Sequence, residues 1–228
     1  MNLGHRVLII TTILFLVSCG KEDDAEPNNN PFLPPIENEN ESDPPQEQAV
    51  DLGIGILWGA WNIGATSPEE QGKYYAWGEL QEKSDYTWET YKHYDLNSET
   101  ITDIGSCISN TEYDIARAAW GEDWRMPTMD EIKQLVSKCS WEWTTYKGVN
   151  GQLVTGPSGN SIFLPATGYR YGDISFCKGY YGYYWSGAKN ESDASNRRAG
   201  YLLVSNSNGA WYWDFTKNCG FTVRAVKD

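Results

Sequence analysis

Histidine is nearly missing from this chain: its 228 residues hold two, His5 and His93. Because His5 falls in a leader, imidazole acid–base catalysis, serine or cysteine triads and histidine metal sites all hang on His93. That residue sits in "TYKHYDLN" with no nucleophile signature around it, which reads as a surface histidine. Positive charge is short too. Eighteen Lys and Arg stand against 31 Asp and Glu, a formal net charge of −13, and no basic stripe occurs. Nucleic-acid partners and docking on an anionic membrane surface are therefore disfavoured. No hydrophobic run beyond the leader approaches membrane-spanning length. The cysteines of the body show no close C-x-x-C pair, which disfavours zinc.

What is present begins with an address. Residues 1–18 carry Arg6 and then the apolar run from Val7 to Val17, the pattern of a secretory signal. Leu16-Val17-Ser18-Cys19 resembles the bacterial lipobox, in which the cysteine is acylated and becomes the new N-terminus. Cys19 is thus expected to carry the lipid (palmitate or a similar acyl chain), and the lipid to be the sole membrane contact. Lys21-Glu22-Asp23-Asp24 resembles the acidic export signal of Bacteroides-group lipoproteins, implying an outer-membrane protein that faces the cell exterior.

Residues 19–48 read as an acidic tether. From 20 to 50 there are nine acidic residues, one lysine and six of the ten prolines. Such a stretch buries too little apolar surface to offset its ordering entropy, so disorder is expected. Glu26-Pro27-Asn28 looks like a sugar-coordinating tripeptide of calcium lectins but has no folded partner there. It reads as chance. All eleven tryptophans and all fifteen tyrosines lie beyond the tether, and residues 49–228 are one domain's worth of chain. Cys107, Cys139, Cys177 and Cys219, an even number in an exported domain, favour two disulfides, with three pairings open.

Local pattern predicts an α+β fold of mostly antiparallel strands with two short helices. "GILWGAWNIGA" (55–65) and "KYYAWGEL" (73–80) read as extended. "NTEYDIARAAWG" (110–121) reads as a helix capped near Thr111, with Ile115, Ala118 and Ala119 on one face and Gly121 as its stop. In "PTMDEIKQLVSKC", Thr128 and Glu131 have capping-box spacing, and Ile132, Leu135, Val136 and Cys139 repeat at helical spacing. "QLVT", "SIFLPA", "GYYGYYWSG" (179–187), "AGYLLVSN" (199–206), "GAWYWDFT" (209–216) and "GFTVRAV" (220–226) follow as strands between glycine-rich turns. Trp120, Trp124 and Arg125 read as structural.

The order of these pieces resembles the Fibrobacter succinogenes major paralogous domain. The match is carried by "VDLGIGILWGAWNIGA" (50–65), "YYAWGE" (74–79), "DIARAAWGEDWRMPTMDEI" (114–132), "GVNGQLVTGPSGNSIFLPATGYR" (148–170), "YYWSG" (183–187) and "GFTVRAV". The resemblance spans roughly 50–226. It implies a C-type-lectin-like fold with a long irregular loop region and a terminal strand beside the first. Its relatives bind sugars or proteins, and the formylglycine-generating enzymes share the fold, so no activity is implied.

The residues themselves favour recognition. The glycine-laced "GYRYGDISFCKGYYGYYWSG" (168–187) offers flat tyrosine faces suited to sugar rings or a protein contact. Tyr169, Tyr171, Asp173, Tyr180 and Tyr181 are candidate surface contacts, with Trp185 assigned to the core. Asp214, between aromatics in "WYWDF", is a further candidate on a solvent-facing side. No catalytic residue, cofactor or metal is assigned. Calcium, which takes about six to eight oxygens, finds no shell by spacing and stays open. The expected task is binding of a glycan or protein ligand at the cell surface, in adhesion or nutrient capture. The alternatives are an enzyme of formylglycine-generating or small glycan-hydrolase type, and a structural subunit of a surface assembly.

Overall fold

The computed structural model describes residues 49–206 and 209–228. The leader, Cys19 and the tether lie outside the described residues. The fold is α+β: among the described residues there are sixteen elements, of which two are short helices and the rest strands paired antiparallel.

The first sheet has the order β1-β2-β14-β5, formed by Ala49–Asp51, Leu57–Gly59, Val226–Lys227 and Trp124–Arg125 respectively. The closing strand β14 therefore lies between β2 and β5, with Val226 opposite both Trp58 and Arg125. Arg224, just before β14, is buried. Its guanidinium donates to the backbone oxygens of Gly59, Ala60 and Phe163, and Nε donates to Asn62.

Between β2 and β5 come the short pair β3 (Tyr94–Asp95) and β4 (Thr100–Ile101) and helix α1 (Ile115–Trp120). The α1 cap is Asp114, not the neighbourhood of Thr111. The Asp114 carboxylate accepts from the N–H groups of Asn110, Ala116, Arg117 and, across the chain, Met126. Ile115 and Ala116 are the buried residues of α1, while Ala118 and Ala119 are exposed, because six residues make too few turns for the periodicity to select a face. Gly121 ends the helix at φ 98 and donates its N–H to Arg117.

Helix α2 (Met129–Lys138) follows the expected pattern. Thr128 and Glu131 form the reciprocal cap, Ile132 and Leu135 are buried, and Val136 and Cys139 pack partly buried on the same cluster. Arg125 holds Glu131 by two parallel bonds of 2.8 and 2.7 Å, so its structural assignment stands.

Two three-stranded meanders complete the domain. One is β6 (Ser140–Tyr146), β7 (Val149–Thr155) and β8 (Ser161–Pro165), and the other β11 (Tyr181–Lys189), β12 (Arg198–Ser205) and β13 (Gly209–Thr216). Between them stands the hairpin β9 (Tyr169–Tyr171) and β10 (Ile174–Phe176). "KYYAWGEL" and "GFTVRAV" are mostly irregular and meet through single bridges such as Tyr75 with Phe221. Alternation along β12 divides the core: Tyr201 and Leu203 face one cluster, Leu202 and Val204 the other. Trp185 is buried, as expected, and its indole N–H donates to the Tyr75 carbonyl at 2.8 Å.

Candidate functional site

The aromatic residues of 168–187 are sorted by the hairpin. Tyr169 pairs with Phe176 and Tyr171 with Ile174, so these four side chains share one face. Arg170 points the other way. Its guanidinium donates to the backbone oxygens of Ser84 and Asp173 at 3.1 and 3.0 Å and lies over the buried Tyr86 ring. Tyr86 and Gly172 also exchange backbone bonds of 2.8 and 3.2 Å. The hairpin is therefore clamped from behind.

Its front face starts in the core. The Tyr169 ring stacks on Phe176 with centroids 5.2 Å apart and touches Tyr183 at 4.9 Å and Phe215 at 5.5 Å. Tyr183 in turn stacks on Tyr201 at 5.5 Å. From this interlocked base the face runs outward. Tyr171 is 49% and Ile174 56% exposed at the hairpin tip, and Trp213, two residues along β13 from Phe215, is 65% exposed. Tyr181, two residues before Tyr183 on β11, is half-buried with ring centroids 6.3 Å from it. Tyr180, 61% exposed, projects from the turn that precedes β11.

The expected contacts thus fare differently. Tyr171, Asp173 and Tyr180 are exposed. Tyr169 is a partly buried support rather than a surface contact, because the hairpin folds over it. Asp214 is on the opposite side of β13, and it is not freely solvent-facing: Arg198 holds it at 2.9 Å and Asn190 donates to its other oxygen. Trp213, Ile174, Phe176 and Phe215 were not anticipated. The signal for Trp213 was the alternation in "WYWDF", which puts Trp213 and Phe215 on one side of a strand and Asp214 on the other.

Electrostatically the face is neutral. Burial pushes the Tyr201 phenol up to about 12 and raises Tyr169 and Tyr183 as well. Among the described residues no group of three His, Cys, Asp or Glu could hold a metal ion. His93 is buried, 7% exposed, with Nε2 3.0 Å from the Gly78 oxygen and its ring edge-on to Tyr91 and Tyr113. The expectation of a surface histidine is corrected: flanking polar residues concealed an aromatic pocket.

Neither of the two expected disulfides is formed in the structure. Cys107, Cys139, Cys177 and Cys219 are free thiols. Cys177 follows β10 on one side of β9, while Gly220 bridges Arg170 on the other side. Cys177 and Cys219 thus approach β9 from opposite sides. Burial pushes the Cys219 thiol up to about 11, leaving it a poor nucleophile at neutral pH. What this assembly offers chemically is a rigid set of flat, uncharged rings open at one end. No family model, curated protein or solved structure matches the chain.

Proposed function

We propose that the protein is a lipid-anchored recognition module on the outer face of the outer membrane, binding a glycan or protein ligand through the face built on Tyr169. The observation that carries this is the gradient along that face, from rings locked in the core to Tyr171, Ile174 and Trp213 in solvent. A ring held in place loses little entropy on contact, so stacking on an apolar sugar face or a partner side chain is favoured. Binding rather than catalysis is supported by the confinement of His93 and the raised Cys219 thiol. Insertion of β14 beside β2 in the terminal sheet is in keeping with a C-type-lectin-like arrangement and with the major paralogous domain resemblance.

The chain from residue 20 onward, without lipid, is to be screened against glycan and extracellular-protein panels and compared with Trp213→Ala and Tyr171→Ala. Binding that weakens in both variants supports the reading. No binding to either panel, or binding indifferent to both substitutions, counts against it. The anchor is tested separately, by mass spectrometry of the native N-terminus for acylated Cys19.

A further inference from the structure

Lys217 is 1% exposed, an unusual depth for a lysine. Its Nζ stands 4.4 Å from the centroid of the Trp77 ring and donates to Asn196 Oδ1 at 2.7 Å. Both backbones are fixed. Lys217 donates its N–H to the Arg197 oxygen, and its own carbonyl accepts from Trp77, each at 2.9 Å. Asn196 sits at φ 55 in a turn closed by its N–H to the Asp193 oxygen at 2.9 Å. The Asp193 carboxylate braces that turn by accepting from Ser195 and Arg197.

This pairing has chemical consequences. Burial, with Lys189 nearby, pulls the Lys217 amine down to about 8, so a fraction is neutral at physiological pH. A desolvated neutral amine is a nucleophile. With a C=O bond of about 1.23 Å, a nitrogen hydrogen-bonded to the amide oxygen lies about 3.5 Å from its carbon, the separation of a near-attack pair. Rotation of the amide about its Cβ–Cγ bond presents the carbonyl face without moving the backbone.

We propose that Lys217 and Asn196 join in an intramolecular isopeptide bond. The neutral Nζ attacks Cγ of Asn196, the bond from Cγ to the amide nitrogen breaks, and that nitrogen leaves as ammonia with a proton given up by the lysine nitrogen. No oxidant, reductant or cofactor enters the balance. Asp103, Asp193 and Glu191 supply negative charge around Lys217. Asn196 is half-exposed, which leaves ammonia a way out. The bond ties Asn196, two residues ahead of β12, to Lys217, directly after β13, closing the base of the hairpin that carries Trp213. A covalent tie there restricts the unfolded chain and resists proteolysis.

The test is peptide mass spectrometry of the full chain, digested under denaturing and reducing conditions. The expected result is a branched peptide joining the Asn196 and Lys217 segments, lighter than their sum by one ammonia, and linear peptides from Lys217→Arg and Asn196→Ala. Linear wild-type peptides with intact Lys217, whether residue 196 reads as Asn or as its deamidated form, overturn the proposal. The wild type alone decides, so misfolding of a variant does not blunt the test.

Discussion

Arg224 donates through Nε to the side-chain oxygen of Asn62 at 2.9 Å, joining the last stretch of the domain to its first. The same guanidinium serves three backbone oxygens, from Gly59, Ala60 and Phe163. Lysine can reach one or two of these acceptors, and each one orphaned in the core costs about 1–3 kcal/mol. Arg224→Lys is expected to lower stability by about 3 kcal/mol or more. In urea unfolding this appears as a lower midpoint with an unchanged slope.

Trp213 should behave in the opposite way. At 65% exposure its removal takes little from the core. Trp213→Ala is expected to change stability by no more than about 0.5 kcal/mol. Ligand affinity should fall about tenfold or more, a loss of at least ~1.4 kcal/mol. Parallel unfolding and binding titrations separate the two effects.

Acid should loosen the start of α2. Burial alone would raise the Glu131 carboxyl, yet hydrogen bonds from Arg125 and the Thr128 backbone hold it below its ordinary 4.5. A carboxyl lowered in the folded state stabilises above its unfolded pKa and loses that contribution as pH falls through the folded one. Stability is therefore expected to drop below about pH 4.5, and Glu131→Gln to be less stable at neutral pH with a shallower acid limb. Urea midpoints measured from pH 3 to 7 give the comparison.

Thiol titration checks the cysteine assignment. In denaturant all four domain cysteines should react. In the folded protein the exposed Cys107 and Cys177 should react first and Cys219 last, because its thiol stays protonated up to about pH 11. Silent thiols in denaturant would restore the two-disulfide expectation.

Gly168 makes the hairpin possible. It has φ 66, and a Cβ there would fall on the Phe176 carbonyl oxygen. Gly168→Ala is expected to displace β9–β10 and weaken ligand binding more than it lowers the unfolding midpoint. A loss of binding no greater than the loss of stability would sink the claim that the hairpin positions the face.

Helix α2 was legible because two independent local signals, the Thr128–Glu131 cap and the spacing of Ile132 and Leu135, agree. In α1 they compete. Thr111 and Asp114 are both cap residues, and the choice is made by Met126, whose N–H reaches Asp114 from beyond the helix. Cysteine parity carries no positions, so the approach of Cys177 and Cys219 to β9 from opposite sides was invisible. His93 was misplaced for a related reason: Tyr113, which helps bury it, is twenty residues away. Tyrosines 169 to 181 were recognisable as a group, but which of them reach solvent depends on strand register. That register also brings in Trp213 from a segment in which only its acidic neighbour had stood out.

Placing β14 between β2 and β5 has a consequence for synthesis. Until residues 224 to 227 have emerged, β2 and β5 have no central neighbour, and the oxygens of Gly59, Ala60 and Phe163 lack the Arg224 guanidinium. Earlier segments must wait as a loosely collapsed chain. A polypeptide that closes only at its final step stays threadable until its last residues are free, and only then latches shut.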